Sequence, residues 1–153
     1  MLKIIFVCHG NICRSPMAEF IMNDLVRKSG LSGKVSISSA AVSCEEEGMP
    51  IYPPAARILQ MHGIPSDGHH AHKISGQEGA EADMIIIMDH SNERLLKRII
   101  HPEDFGKIHY MMEFAGKPGQ DVADPWYTGD FGRTFDDLYS ACSGLVSLIR
   151  QGD

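Results

Sequence analysis

Short apolar runs alternate with amphipathic segments along the chain, and this alternation constrains the fold more than any other feature. Residues 2–7 form a nearly continuous apolar run, as expected of a strand that is covered on both faces. Ser15 is predicted to cap the following helix and Pro16 to be its first residue. That helix ends at Gly30 and carries five apolar residues at helical spacing: Met17, Phe20, Ile21, Leu25 and Val26.

The same pattern continues to the end of the sequence. Three further strands are predicted at residues 35–39, 83–88 and, more weakly, 107–112, and three further helices at residues 53–62, 91–100 and 134–151. Helices between strands imply right-handed crossovers, so we expect an α/β fold whose parallel sheet has helices on both faces. No repeat or linker divides the chain, so a single domain over residues 1–153 is predicted.

Charge and hydropathy exclude several classes of protein. Fourteen Lys and Arg residues against twenty Asp and Glu residues give a net charge of −6, which argues against nonspecific binding of nucleic acid. No apolar run approaches the roughly 18 residues that a membrane span needs. The first residues also lack the pattern of a signal peptide. We therefore expect a cytoplasmic protein without a membrane partner, although export without a signal peptide stays open.

The cysteines do not suggest a disulfide framework or a metal site. The chain has only four, and they are scattered: Cys8, Cys13, Cys44 and Cys142. A zinc site needs about four ligands, usually in close pairs. The histidines at 69, 70 and 72 could bind a metal adventitiously, but we expect no metal and no other cofactor.

The segment after the first strand carries the strongest chemical signal. Cys8 and Arg14 bracket five residues, which are His9, Gly10, Asn11, Ile12 and Cys13. A loop this short can curl around one tetrahedral anion, such as phosphate or sulfate, with its N–H groups and the helix N-terminus directed inward. Gly10 and Asn11 tolerate a positive φ, which a tight loop requires. The planar Arg14 guanidinium matches two phosphate oxygens.

Cys8 is predicted to be a nucleophile. The same amides, helix dipole and guanidinium favour its thiolate form. A thiolate beneath a phosphoryl group is arranged for in-line displacement and a covalent phosphocysteine. The loop has no Gly-Lys-Ser/Thr sequence and so is not a nucleotide-binding P-loop. A chance pairing of a buried Cys8 with a surface Arg14 is the alternative, and the preceding strand and the Ser-Pro sequence argue against it.

Residues 8–16 resemble the signature of the low-molecular-weight protein tyrosine phosphatases, a Cys-x5-Arg-Ser-Pro loop with Gly-Asn and a second cysteine inside. Residues 39–43, 88–92 and 124–127 resemble later segments of the same family, so the resemblance covers nearly the whole chain. It implies a three-layer fold whose four parallel strands lie in the order 2-1-3-4. It also implies a monomer or weak dimer that hydrolyses phosphotyrosine in proteins.

The resemblance assigns further roles to this site. A phenolate is a poor leaving group, so an acid must protonate its oxygen as the phosphorus–oxygen bond breaks. Asp124, followed by Pro125, matches the general acid of the family, although Asp-Pro alone is typical of a plain turn. Ser15 is implied to donate a hydrogen bond to the Cys8 sulfur. Asn11 is implied to lock the loop through its side chain.

The rim of the site is expected to include Glu45, Trp126 and Tyr127. The two aromatic residues would form a wall against the substrate ring. The family usually has an aromatic residue near Glu45, whereas residues 44–47 are acidic here. This run is either a solvated loop or a surface that favours basic residues beside the phosphotyrosine. Ile12 resembles the tyrosine-directed members, since related arginine phosphatases carry a small hydroxyl residue there.

Three further expectations concern supporting residues. Cys13 is implied to form a reversible disulfide with Cys8 under oxidant, or else only fills the loop wall. His69 is expected to pair with Asp89. Tyr52 stands where family members commonly have aspartate.

Two other activities would use the same loop. An arsenate reductase needs two further cysteines to relay a disulfide, and only Cys44 and Cys142 remain for that role. A thiol-coupled arsenate assay would detect this activity. A phosphocysteine carrier would instead pass its phosphoryl group to a partner, and would show a stable phosphoenzyme without turnover of p-nitrophenyl phosphate.

Overall fold

Four parallel strands form the centre of the protein in a computed structural model that describes residues 1–152. The strands lie in the order β2-β1-β3-β4, which confirms the predicted α/β topology. Their bounds are Leu2–Cys8 for β1, Val35–Ala41 for β2, Met84–Ile87 for β3 and Ile108–Tyr110 for β4. Because all pairs are parallel, the carboxyl ends of β1 and β3 lie at the same edge of the sheet.

Six α-helices surround this sheet. They span Arg14–Lys28 (α1), Pro53–Met61 (α2), Gly76–Glu81 (α3), His90–Leu96 (α4), Pro125–Thr128 (α5) and Phe131–Gln151 (α6). Two 3-10 helices, Pro102–Lys107 and Met111–Ala115, flank β4. Among residues 1–152, no helix is both long enough and apolar enough to cross a bilayer.

The central strand β1 is buried on both faces. Ile4 and Phe6 belong to a large apolar cluster that includes residues of α1 and α6. Ile5 and Val7 point to the opposite face and pack in a second cluster with Leu96 of α4. Alternation of side chains along a strand therefore explains why the whole of this segment is apolar. The result is a three-layer arrangement in which the end of β1 is buried.

Some predicted elements differ from those observed. The helix predicted at 91–100 ends at Leu96, because the next residues form turns while Ile100 still packs into the core. The strand predicted at 107–112 is shorter, since Met111 begins a 3-10 helix. The last helix begins at Phe131, three residues before the predicted start at Thr134, where the Asp130 side chain accepts a hydrogen bond from the Arg133 amide.

The prediction that Ser15 caps α1 is wrong. The helix begins at Arg14, its N-cap is Cys13, and that residue makes no capping hydrogen bond through its side chain. Ser15 and Pro16 are the second and third helical residues. Pro16 fits there because the first-turn N–H groups of a helix have no partner within it. The Ser15 hydroxyl is thus free to bond to the loop that precedes the helix.

We expect Gly144→Ala to destabilise the protein. Gly144 lies where α6 meets the 3-10 helix Met111–Ala115, and an added Cβ would overlap the carbonyl oxygen of Phe114. Alanine gains about 1 kcal/mol over glycine in a helix, but overpacking costs about 1–3 kcal/mol and here requires the backbone to move. Urea unfolding should therefore show a lower free energy of unfolding for this variant.

Gly132→Ala is the matched control in the same helix. Its added Cβ would meet only the Asp130 carboxylate, at 3.7 Å. This variant should be as stable as the parent or slightly more stable. Equal stability of the two variants would contradict the packing described for α6.

Candidate active site

A cavity of about 200 Å³ opens at the carboxyl end of β1. This is the edge at which parallel sheets bind their ligands. The cavity brings together ten of the predicted site residues and also Glu46. The ten are Cys8, His9, Gly10, Ile12, Cys13, Arg14, Glu45, Asp124, Trp126 and Tyr127. Asn11 and Ser15 do not line the cavity and are fully buried. We call residues 8–15 the anion loop.

Asn11 holds the anion loop in its closed shape. Its φ of 59° is the only positive φ of a non-glycine residue among the described residues 1–152. The side-chain amide donates to Ser15 Oγ at 2.8 Å and to Ser39 Oγ at 3.0 Å, and its oxygen accepts from the His72 amide at 3.2 Å. Asparagine tolerates the left-handed region better than most residues. These buried hydrogen bonds hold it in that conformation.

Gly10 serves a different purpose from the one predicted. It does not adopt a positive φ. A Cβ at this position would instead lie 3.3 Å from Cγ of Glu46. The glycine therefore allows the loop after β2 to approach the anion loop closely.

The Cys8 sulfur lies within a set of hydrogen-bond donors. Its Sγ is 3.0 Å from Ser15 Oγ, and the Asn11 amide donates to it at 3.3 Å. The Ser15 hydroxyl accepts the Asn11 side-chain amide, so its own proton is directed to the sulfur or to the Ala40 carbonyl at 3.4 Å. A thiolate at Cys8 can accept both hydrogen bonds.

Arg14 is buried with only 2% of its surface exposed. One guanidinium nitrogen donates to Asp89 Oδ2 at 2.7 Å and to the Val122 carbonyl at 2.9 Å, and the other donates to Asp124 Oδ2 at 3.3 Å. Burial lowers the pKa of Arg14, but the negative charges of Cys8, Asp124 and Asp89 outweigh this effect and raise it. Arg14 therefore stays charged and is held in one orientation.

The expected pairing of His69 with Asp89 is wrong. Asp89 binds Arg14, and its other oxygen accepts the Asn92 amide at 2.8 Å to cap α4. His69 instead donates from Nε2 to the Asn11 carbonyl at 2.7 Å. The position of Asp89 could have predicted its contact with Arg14. Asp89 directly follows β3, which is adjacent to β1 and ends at the same edge of the sheet.

Cys13 lines the cavity as a neutral thiol. Burial, together with the negative charges of Cys8 and Asp124, raises its pKa to about 12. A thiol of this kind is a poor nucleophile near neutral pH. Both Cys8 and Cys13 are free thiols, so a disulfide between them stays a prediction.

Asp124 stands at the N-terminus of the short helix α5. Its Oδ1 accepts the Trp126 amide at 3.0 Å while its Oδ2 accepts from Arg14. Trp126 and Tyr127 are 53% and 85% exposed beside the cavity, so their rings present uncovered apolar surface at its mouth. The sequence marked Tyr52 only as a departure from the family and did not predict its contact with Trp126, whose ring centroid lies 4.9 Å from that of Tyr52.

The three glutamates after β2 do not all face the cavity. Glu45 and Glu46 line the cavity, and Glu45 Oε2 lies 3.7 Å from His9 Nε2. Glu47 instead accepts the Lys73 amide at 3.1 Å. Only the first two glutamates therefore contribute negative charge to the mouth. Within the part of the chain that the structure describes, no three His, Cys, Asp or Glu side chains are grouped closely enough to hold a metal ion.

Comparison with known proteins gives one consistent result. A sequence profile described as low molecular weight phosphotyrosine protein phosphatase matches residues 3–152. The low molecular weight protein-tyrosine-phosphatase YfkJ of Bacillus subtilis is 36% identical over 152 residues, which are 99% of this chain and 97% of YfkJ. PtpA of Staphylococcus epidermidis, which has the same description, is 36% identical over 97% of this chain and 94% of PtpA.

Solved structures share the fold. The crystal structure of YfkJ superimposes with a TM-score of 0.94 at 35% identity, over 100% of this chain and 97% of YfkJ. The Drosophila arginine phosphatase superimposes with a TM-score of 0.89 at 28% identity, over 99% of this chain and 100% of that one. Since the sequence profile matches the chain almost from end to end, the protein belongs to the low molecular weight phosphotyrosine protein phosphatase family.

Proposed function

We propose that the protein hydrolyses phosphotyrosine in proteins through a phosphocysteine on Cys8, with Asp124 as general acid and then general base. The observation that carries this proposal is that Cys8, Arg14 and Asp124 line one cavity at the end of β1. Nucleophile, anion ligand and proton donor are the three groups that cleavage of an aryl phosphate requires.

In the first step the Cys8 thiolate attacks phosphorus and the bond to the tyrosine oxygen breaks. Asp124 gives its proton to that oxygen, so tyrosine leaves as a neutral phenol. In this proposal the main-chain N–H groups of the anion loop and the Arg14 guanidinium hold the phosphoryl oxygens. Arg14 is already fixed by Asp89 and the Val122 carbonyl, which avoids reorganisation during the reaction.

In the second step a water molecule attacks the phosphocysteine. The Asp124 carboxylate accepts the water proton, the sulfur–phosphorus bond breaks, and Cys8 leaves as a thiolate while inorganic phosphate is released. Ser15 supports the departing sulfur, since its Oγ is 3.0 Å from Sγ. Ser15 is therefore proposed to act by stabilising the leaving thiolate.

The lining of the cavity supports an aromatic substrate. Ile12, Trp126 and Tyr127 supply apolar surface around the opening. The Drosophila arginine phosphatase shares the fold, so the fold alone does not select between phosphotyrosine and phosphoarginine. Ile12 resembles the residue of the tyrosine-directed members, and its apolar side chain favours contact with an apolar aromatic ring over a polar guanidinium.

The positions of the remaining cysteines do not support the alternative function, that of an arsenate reductase. Cys142 is buried within α6, its Sγ donates to the Ala18 carbonyl, and burial raises its pKa. Cys44 is exposed on the loop after β2. A disulfide relay would have to reach a thiol in the apolar core. A phosphocysteine carrier is also disfavoured, because it has no need of an acid such as Asp124.

Cys8→Ser should remove turnover while leaving the loop able to bind an anion. Loss of a nucleophile should lower the rate of p-nitrophenyl phosphate hydrolysis at least about 10³-fold. The measurement compares wild type and variant in the presence of EDTA, with phosphate binding followed by calorimetry. Turnover by Cys8→Ser, or a wild type that does not hydrolyse the ester, would refute the phosphocysteine route.

Asp124→Ala should slow the reaction by an amount that depends on the leaving group. Loss of a general acid costs about 10²–10⁴-fold when the leaving group needs a proton. The hydrolysis of phosphotyrosine should therefore be slowed far more than that of an aryl phosphate with a strongly acidic phenol. A series of substituted phenyl phosphates measures this dependence. Equal slowing across the series would remove Asp124 from the acid's role.

A further inference from the structure

The segment that carries Asp124 has little structure of its own. We call residues 124–131 the acid segment. Its helix α5 spans four residues, of which only Pro125 is buried, and Gly129 ends it with a φ of 73°. A helix this short is not stable by itself. The orientation of the Asp124 carboxylate therefore depends on contacts that the acid segment makes with the rest of the protein.

Tyr52 contacts the acid segment at two places. Its ring centroid lies 4.9 Å from that of Trp126, with the planes tilted by 55°, and 5.9 Å from that of Phe131, with the planes at 29°. Both separations lie within the range of favourable aromatic pairs. Because Trp126 follows α5's first residue and Phe131 begins α6, one ring supports both ends of the segment.

Trp126, which Tyr52 contacts, is hydrogen-bonded to the Asp124 carboxylate. The Trp126 amide donates to Asp124 Oδ1 at 3.0 Å. The other oxygen, Oδ2, is the one that faces Arg14. A shift of Trp126 would therefore turn the carboxylate relative to the cavity.

Tyr52 is itself fixed to the anion loop. Its amide donates to the Ile12 carbonyl at 2.9 Å. Its backbone, at φ −59° and ψ 131°, has the extended conformation that the following Pro53 favours. The Ala56 amide then bonds to the Tyr52 carbonyl and starts α2. Tyr52 thus connects the loop that holds the nucleophile to the segment that holds the acid.

From these contacts we propose that Tyr52 is a positioning residue that sets the Asp124 carboxylate relative to the Cys8 loop. The proposal rests on the proposed role of Asp124 as general acid. Tyr52 acts through its ring and touches neither phosphorus nor the leaving oxygen. Loss of the ring should therefore impair proton donation and leave attack by Cys8 largely intact.

The test compares Tyr52→Leu with Tyr52→Phe on the series of substituted phenyl phosphates. Tyr52→Leu should lower kcat for phosphotyrosine about tenfold. The free energy of aromatic contacts of this kind corresponds to about a tenfold change in rate. For esters with strongly acidic phenols the loss should be about twofold or less, since these esters need little proton donation. Tyr52→Phe keeps the ring and should behave as the wild type.

Phe135→Leu is the matched control. Phe135 stacks on His62 with centroids 3.9 Å apart, so it also joins α2 to α6 but lies outside the cavity. Its replacement should lower stability and leave the dependence on leaving group unchanged. This control separates a loss of packing between α2 and α6 from a loss of acid placement.

Trp126 provides a second readout that does not require activity. It is the one tryptophan of the chain, so the intrinsic tryptophan fluorescence comes from the acid segment. Tyr52→Leu should increase quenching by acrylamide and lower the fluorescence anisotropy, whereas Phe135→Leu should change neither. Tyr52→Phe should retain both wild-type values.

The outcomes separate this proposal from the proposed function. If Asp124→Ala shows a steep dependence on leaving group while Tyr52→Leu slows all esters equally, the positioning role of Tyr52 is refuted and the acid role stands. A decrease in kcat for phosphotyrosine as large in Tyr52→Phe as in Tyr52→Leu would also refute the positioning role of the Tyr52 ring. If Asp124→Ala shows no such dependence, the acid role fails, and the positioning role fails with it.

Discussion

The closed shape of the anion loop is the constraint on which the rest of the site depends. The short turn between β1 and α1 has to close tightly if Cys8 and Arg14 are to line one cavity. Asn11 allows this by adopting a left-handed conformation and by bonding through its side chain to Ser15, Ser39 and the His72 amide. Without that closure, Cys8 and Arg14 would not line a common cavity.

The charge of Arg14 explains how distant parts of the chain meet at this loop. A guanidinium with 2% exposure is costly to bury unless carboxylates compensate it. Asp89, after β3, and Asp124, before α5, supply those charges. Asp124 thus has a structural reason to face the cavity as well as a proposed chemical one. In the proposed mechanism, the hydrogen bond from Arg14 to Asp89 would keep the guanidinium in place while Asp124 exchanges its proton.

Sequence reasoning succeeded where the signal is local. The alternation of strands and helices predicted the α/β fold, and the Cys-x5-Arg spacing after β1 predicted the position of the cavity. The strand order and the place of Asp124 came from the resemblance to the family. Sequence reasoning failed where partners are distant in sequence. A Ser-Pro pair matched the pattern of a helix start, yet Ser15 lies inside the helix and bonds to Cys8. Nothing local connects Tyr52 with Trp126, because α2 and α5 meet only in the folded chain.

The most direct test of this account is to look for the covalent intermediate during turnover. Phosphotyrosine peptide mixed with the wild-type protein and quenched in acid on the millisecond scale should give protein that carries phosphate on Cys8. That species should form before phosphate is released and decay at the turnover rate. Release of phosphate without any phosphorylated protein, or phosphate on a residue other than Cys8, would contradict the account.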